Sequence, residues 1–127
     1  DITAKPAIAW SYNRDTPYVP SPLMYKGGLY FLKTNSAVLT RIDVTTAKPT
    51  FTQRLEGLSN VYASPVAVDG RIYVLSREGV MMVLEAGPEL KVLATNTLSD
   101  GFDASPAIVG NEMYLRGQKY LYRISKD

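Results

Sequence analysis

Short apolar segments separated by turn residues run along the chain, and their pattern predicts β-strands. In the middle of the sequence, residues 71–77 and 80–85 are apolar at several consecutive positions rather than at alternate ones. Strands of that kind are covered on both faces. No stretch shows the sustained 3.6-residue periodicity of a helix, and Pro, Gly, Val, Tyr and Thr stand where strands and turns need them. The pattern therefore predicts an all-β fold.

The dipeptide Ser-Pro marks an internal repeat. It occurs three times, and aligning the copies on the proline places a tyrosine eight positions later in each, with an apolar residue on either side. Between proline and tyrosine each copy has a glycine-containing turn signal, which favours a tight hairpin. A period of about 40–45 residues is typical of β-propeller blades, each a meander of four strands. The positions that define the repeat are Pro22, Tyr30, Pro65, Tyr73, Pro106 and Tyr114.

The repeat makes residues 1–127 a single arc of propeller blades, which is an incomplete ring. The predicted blades are 19–58, 61–98 and a three-stranded final blade at 102–124. In the middle blade the predicted strands are 64–68, 71–77, 80–85 and 91–98. Residues 7–12 contain Trp10, the only tryptophan. This segment is predicted to be an outermost strand that belongs to a preceding blade or to a latched one.

One segment carries the signature of a known propeller family. Residues 43–51 read Asp-Val-Thr-Thr-Ala-Lys-Pro-Thr-Phe. This resembles the Asp-x-x-Thr-Gly-Lys-x-x-Trp motif that ends the third strand in blades of pyrroloquinoline-quinone-type (quinoprotein-like) propellers, with Ala for Gly and Phe for Trp. In this motif Asp43 and Thr46 are expected to close a turn through hydrogen bonds, and Phe51 to pack between neighbouring blades. The resemblance covers essentially the whole chain and implies a secreted or periplasmic protein.

The two ends of the arc indicate what it joins. In closed propellers an N-terminal outer strand often completes the final blade, and the segment at 7–12 and the three-stranded blade at 102–124 have that complementarity. Natural rings contain about four to eight blades, so three cannot close alone. The expected partners are the remaining blades of a larger propeller, of which this would be the C-terminal arc, or a second copy of the chain. Both arrangements are compatible with the sequence.

Composition narrows the chemistry. The chain has 127 residues, of which 46% are hydrophobic and 20% charged, as in a globular protein. Its 14 basic and 12 acidic residues give a net charge of +2, which argues against nucleic acid as a partner. No apolar run reaches the ~18–20 residues of a membrane helix, so no membrane span is predicted. Cysteine and histidine are absent, which excludes disulfides, zinc sites with those ligands and a Ser-His-Asp triad supplied by this chain. Any signal peptide would precede Asp1.

Candidate binding residues lie in the loops between strands on one side of the blades. They offer aromatic, amide and charged side chains, which suit a protein or carbohydrate ligand; the alternative is solvated loop residues with aromatic plugs between blades. Asp100 and Asp103 are a close carboxylate pair, but catalysis would need a perturbed pKa and Ca²⁺ would need more oxygen ligands. No catalytic residue and no metal ligand is predicted. The candidates are Asp15, Tyr18, Asn35, Asn60, Tyr62, Arg77, Asp100, Phe102 and Asp103.

These features favour a non-enzymatic propeller that serves as a binding or scaffold surface. A lipoprotein of the bacterial outer-membrane barrel-assembly machinery, whose repeat resembles this one, acts by protein contact. The alternative is the non-catalytic arc of a quinone-dependent dehydrogenase or of another propeller enzyme. Dehydrogenases of this family hold the quinone between a tryptophan and a vicinal disulfide and add Ca²⁺ ligands. This chain has no cysteine and only Trp10, so no cofactor is expected in it.

Overall fold

A computed structural model describes residues 7–125, and within that range all regular structure is β-strand. The strands form three antiparallel sheets, each a meander in which consecutive strands are neighbours. This confirms the all-β fold built from antiparallel meanders. No helix in the described range could cross a membrane. The first sheet contains β1 (Leu23–Tyr25), β2 (Gly28–Lys33), β3 (Val38–Asp43) and β4 (Lys48–Arg54); the second β5 (Val66–Val68), β6 (Arg71–Leu75), β7 (Val80–Glu85) and β8 (Val92–Thr97); the third β9 (Ala107–Val109), β10 (Glu112–Arg116) and β11 (Leu121–Ser125).

The first strand of each sheet, which we call the inner strand, is shorter than the repeat predicts. Each inner strand begins one residue after its Ser-Pro proline, so β5 starts at Val66 and not at Ser64. The next strand, β6, ends at Leu75 because the chain already turns at Ser76, whose N–H donates to the Val80 carbonyl at 2.9 Å. The predicted units at 19–58, 61–98 and 102–124 contain the three sheets, while residues 1–6 and 126–127 of the predicted arc lie outside the described residues.

Two-residue hairpins connect the first and second strand of each sheet. Lys26 and Gly27 have φ values of 45° and 71°, and Asp69 and Gly70 have values of 49° and 76°. Positive φ at both central residues defines the type I′ turn, whose twist matches that of the flanking strands. The turn signals between proline and tyrosine are thus used as the sequence predicts.

The sheets stack face to face and bury two apolar clusters between them. Because side chains alternate along a strand, β6 contributes to both clusters. Ile72 and Val74 face the first sheet and are fully buried, whereas Leu75 packs with Phe102 and Leu115 against the third sheet. This explains why the strand is apolar at consecutive positions. The repeat tyrosine of the first sheet, Tyr30, belongs to the first cluster and is only 2% exposed.

The quinoprotein-like motif forms a hydrogen-bonded turn. One oxygen of Asp43 accepts from the N–H groups of Thr45 and Thr46, both at 2.9 Å, and from the Thr46 hydroxyl at 3.3 Å. The backbone hydrogen bond from Thr46 makes the largest contribution to lowering the pKa of Asp43 below its usual value. Ala47 adopts a φ of 56°, at the position where the family motif has glycine. Phe51 lies on β4, half-buried against the cluster between the first two sheets.

Residues 7–12 form no strand with any described part of this chain. Tyr12 instead packs on the buried Phe31 of β2, with ring centroids 5.7 Å apart. Trp10 is 37% exposed. The pairing expected for this segment involves a preceding blade or a second copy, neither of which is present, so it stays a prediction.

Candidate functional site

Six loops on one side of the stacked sheets form what we call the rim. Backbone hydrogen bonds join them from blade to blade. The N–H of Val61 donates to the Thr34 carbonyl at 2.9 Å, and the N–H of Phe102 donates to the Arg77 carbonyl at 3.1 Å. These are the same contact in two successive blades, so the rim repeats with the sheets. Loops entering a blade contain residues 15–18, 59–62 and 100–103, and loops between second and third strands contain 33–35, 77–78 and 118–119.

Asp100 is buried in the rim and its carboxylate is saturated with hydrogen bonds. It accepts from the N–H groups of Gly101 at 2.8 Å and of Lys119 and Tyr120 at 3.2 Å, and from the Tyr122 hydroxyl at 3.1 Å. Burial by itself raises the pKa of this carboxyl, but these donors together outweigh it and hold the pKa below its usual value. Asp100 therefore fixes the loop between β10 and β11 and has no oxygen left for a metal or substrate.

Replacing Asp100 by Asn should change how stability depends on pH. A carboxyl whose pKa is lower in the folded state stabilises the fold fully above its ordinary pKa of about 4, and loses that contribution as the pH falls through the folded-state value. We expect the variant to be less stable than the wild type at about pH 7 and to lose less stability on acidification. Urea unfolding at about pH 7 and pH 3 measures both effects.

The wild type and Asp100→Asn both retain Asp43, whose pKa is also lowered. The difference between the two proteins therefore isolates Asp100. If the two proteins lost the same unfolding free energy between about pH 7 and pH 3, the saturated carboxylate would be contradicted.

Tyr62, Arg77 and Asp103 form the one rim cluster that combines aromatic and charged groups among the candidate residues. The Arg77 guanidinium lies over the Tyr62 ring, 4.4 Å from its centroid, and its Nε is 2.6 Å from Asp103 Oδ1. Hydrogen bonding to Asp103 raises the pKa of Arg77 above its usual value. The side chains of Arg77 and Asp103 are 42% and 47% exposed. The cluster therefore combines a stacking contact and an ion pair whose charged groups face solvent.

The remaining polar candidates are held by contacts within a blade or between successive blades. Lys33 Nζ lies 2.9 Å from Asp15 Oδ1. The Asn60 side-chain amide donates to Glu78 at 2.8 Å. Asn35 is exposed, and its backbone carbonyl accepts from Asn60 at 3.5 Å. The structure therefore brings Asp103 to Arg77 and Asp15 to Lys33. Asp100 and Asp103, which are close in the sequence, have different roles, because Asp100 is buried and Asp103 is exposed.

The apolar position four residues before each Ser-Pro proline acts as a plug between blades. Val61 and Phe102 are fully buried at this position, whereas Tyr18 is 88% exposed. The backbone N–H groups of Val61 and Phe102 each donate to the loop between the second and third strands of the preceding blade. No such loop precedes Tyr18 in the described chain. Phe102 therefore serves in the interior, whereas the ring of Tyr18 is uncovered by the described residues.

The serines of the repeat have a role that the sequence analysis missed. The N–H of Ser21 donates to the hydroxyl of Ser64 at 2.8 Å, and the N–H of Ser64 donates to the hydroxyl of Ser105 at 2.9 Å. We call this series the serine ladder. It joins the starts of the three inner strands, one blade to the next. The sequence does carry a signal for this role: serine precedes the proline in all three repeats, although the proline would not need a serine before it.

Two clefts adjoin the third sheet. The larger, about 870 Å³, lies between the second and third sheets and is lined by Tyr73 and Val83 on one side and by Met113 and Ile124 on the other. The smaller, about 240 Å³, lies on the rim beside Arg116. Among residues 7–125 there is no group of three or more acidic residues placed to hold a metal ion.

Antiparallel meanders that stack face to face, with hydrogen bonds between the starts of their inner strands, define a segment of a β-propeller. Comparison with solved structures assigns the type. The fold matches quinohemoprotein alcohol dehydrogenase from Comamonas testosteroni over 87% of this chain and 19% of that one, with a TM-score of 0.69 and 18% identity. It matches a europium-containing methanol dehydrogenase over 94% of this chain and 25% of that one, with a TM-score of 0.71 and 14% identity.

A third match is quinohemoprotein alcohol dehydrogenase ADHIIG from Pseudomonas putida HK5, with a TM-score of 0.68 and 12% identity over 90% of this chain and 20% of that one. The chain thus has the fold of a quinoprotein-type propeller segment. It spans about a quarter or less of these neighbours. No protein-family model and no curated protein matches it.

The quinone that this propeller type suggests does not fit the residues present. The sequence has no cysteine to form a vicinal disulfide. Its single tryptophan, Trp10, is 37% exposed and lies in the segment that contacts Phe31 of β2 through Tyr12. The buried rim carboxylate, Asp100, already accepts hydrogen bonds from four residues. These residues supply neither the stacking groups nor free oxygen ligands for a quinone and its metal.

Proposed function

We propose that this chain is a non-enzymatic binding or scaffold segment of a larger propeller, with the rim as its contact surface. The observation that supports it most is the use of the rim carboxylates within the fold. Asp15 is paired with Lys33, Glu78 accepts from Asn60, and Asp100 is buried and saturated. A general acid or base must be able to reach substrate, whereas these three carboxylates are occupied by contacts within the fold.

The surface that remains for a ligand is aromatic and carries the exposed Arg77–Asp103 ion pair. Tyr18 is 88% exposed, and Tyr62 carries Arg77 over its ring. Tyrosine and arginine are enriched where proteins bind partners, because they combine a large apolar surface with directional hydrogen bonds. Aromatic rings of this kind also suit the faces of sugars. A protein surface or a carbohydrate is therefore the proposed ligand class, and a secreted or periplasmic location is proposed from the repeat type.

The enzyme alternative is tested on the complete natural protein that contains these residues. We expect that incubation with pyrroloquinoline quinone and Ca²⁺, followed by dialysis, leaves no quinone absorbance and no dye-linked oxidation of primary alcohols. A quinoprotein alcohol dehydrogenase treated in parallel controls for the procedure. A stoichiometric quinone band with alcohol oxidation would overturn the proposal.

The binding role is tested in the same protein by photo-cross-linking in its native host. A photoreactive phenylalanine analogue in place of Tyr62 should give a discrete cross-linked product. The same analogue in place of Val92, which is 48% exposed on the outer strand β8, should not. Equal cross-linking from both positions would show that the rim is not the contact surface.

A further inference from the structure

A row of three side chains fills the space between the first two sheets. Across the strands of the first sheet, the repeat tyrosine Tyr30 pairs with Arg41, and Arg41 pairs with Phe51. Paired positions place their side chains on the same face of a sheet. The Arg41 guanidinium lies 5.6 Å from the centroid of the Tyr30 ring and the residue is 5% exposed, while Phe51 packs against the first cluster.

The second sheet has smaller side chains in the same row. Tyr73 pairs with Val83, and Val83 pairs with Ala94, so valine and alanine stand where the first sheet has arginine and phenylalanine. The space left open is the cleft of about 870 Å³ between the second and third sheets, which both Tyr73 and Val83 line. Tyr73 is accordingly only half-buried, whereas Tyr30 is buried.

The difference that opens this cleft lies in the second sheet and not in the three-stranded form of the third. In the first cluster, the following sheet contributes residues of β5 to β7 and of the loop after β7, but none of its outer strand β8. The residues of β8 are all exposed. An outer strand on the third sheet would therefore lie outside the space that Arg41 and Phe51 fill between the first two sheets.

The hydroxyl of Tyr73 is free to bind a ligand in the cleft. Its counterpart, the Tyr30 hydroxyl, accepts from Arg41 at 3.1 Å and donates to the Gly87 carbonyl at 3.4 Å. Val83 offers no such donor, and the Tyr73 hydroxyl makes no hydrogen bond with any residue that the structure describes. A half-buried phenol beside apolar walls is one of the few polar groups that orient a ligand in a pocket of this kind.

The end of the cleft away from the rim carries an unpaired cation. Arg71 lies two residues before Tyr73 on the same face of β6, and its side chain forms no ion pair within residues 7–125. Of the two carboxylates that line this end, Glu112 accepts from Arg123 Nε at 2.9 Å, and Asp69 lies in the β5–β6 hairpin turn. Arginine and tyrosine on one strand face are donors that a carboxylate accepts from with charge-assisted hydrogen bonds.

We propose that the cleft between the second and third blades binds an aliphatic carboxylate of the fatty-acid type. Its carboxylate binds Arg71 and Tyr73, and its chain lies between the second and third sheets. The thioether side chains of Met81 and Met113 line this path and adapt to an apolar chain. Because a strand rises about 3.3 Å per residue, the wall from Arg71 to Leu75 is about 13 Å long, which favours an elongated ligand. This site is separate from the rim and goes beyond the proposed function.

Calorimetric titration of the complete natural protein with decanoate, below its micelle concentration, tests the cleft. We expect stoichiometric binding with a negative heat-capacity change, because the chain leaves water. Ala94→Phe restores the aromatic residue of the first sheet on an exposed strand, and should raise the Kd at least about tenfold. The matched control is Thr95→Phe, which adds the same ring on the opposite face of β8, opposite Met82 in the register, and should leave the Kd unchanged.

The head group is tested by comparing decanoate with 1-decanol. Arg71→Gln should raise the Kd of decanoate about tenfold and leave that of the alcohol unchanged, because only the carboxylate uses the charge. Asp69→Asn should lower the Kd of decanoate, since a neighbouring negative charge is removed and asparagine tolerates the φ of 49° at this position.

The site is overturned if decanoate does not bind stoichiometrically, or if it binds the wild type and Ala94→Phe equally. Equal losses for decanoate and 1-decanol in Arg71→Gln would likewise overturn the carboxylate as the head group. None of these results changes what is expected at the rim, where cross-linking from Tyr62 tests the proposed function independently.

Discussion

Replacing Gly79 by Ala is expected to destabilise the protein by at least about 3 kcal/mol. Gly79 has a φ of 87°, and a Cβ atom built on it would lie 2.2 Å from the Leu98 carbonyl oxygen and 2.6 Å from that of Asp100. The left-handed conformation alone costs an L-residue about 1–2 kcal/mol. The remainder arises because backbone atoms, unlike flexible side chains, cannot move aside. The Gly79 carbonyl also accepts from the Leu98 N–H at 3.0 Å, so the turn cannot shift without losing that bond.

Gly57 provides the matched control for this substitution. It has a φ of 90°, but a Cβ atom there would meet nothing within 4 Å. Gly57→Ala should therefore show the conformational cost alone, about 1–2 kcal/mol. Urea unfolding of the two variants separates strain from collision. Equal losses would mean that the loop entering the third blade does not pass beside Gly79.

Local signals explain how much of this fold the sequence predicts. The hairpins depend on two adjacent residues, as in Asp69-Gly70, so a short window is sufficient to find them. The strands that follow are apolar at consecutive positions because their two faces enter different clusters, as Ile72 and Leu75 do. The recurrence of Ser-Pro and Tyr then sets the period. Blade type follows from these features without any knowledge of the contacts between blades.

The contacts between blades are what the sequence leaves out. The serine ladder joins residues 43 and 41 positions apart, and no local pattern indicates that a hydroxyl at Ser64 accepts from a particular backbone N–H. Asp100 and Phe102 stand in a loop that reads as polar and exposed, yet stacking of the sheets buries both of them. The aromatic plugs were one of the two alternatives for these loops, and for Phe102 the packing favours it. The exposed cluster of Tyr62, Arg77 and Asp103 likewise forms only because loops that are distant in the sequence meet in the fold.

Phe102 carries the second large effect, because it joins the third blade to the rest of the chain. Its side chain is fully buried, with its ring centroid 5.6 Å from that of Tyr122 and with Leu75 and Leu115 in the same cluster. Removing a buried phenylalanine side chain leaves a cavity and costs about 3–5 kcal/mol. We expect Phe102→Ala to lose that much stability in urea unfolding. The amides of β9–β11 should also lose hydrogen-exchange protection before those of β1–β8.

Two other plug positions show whether this loss depends on burial or on the position itself. Val61→Ala removes two methyl groups from the equivalent buried site and should cost about 2 kcal/mol. Tyr18→Ala alters a side chain that is 88% exposed, and should leave the stability of these blades unchanged. The expected order of losses is therefore Phe102, Val61, Tyr18. If Tyr18→Ala were as damaging as Val61→Ala, the loss would follow from the position in the repeat and not from burial, and the cavity argument for Phe102 would fail with it.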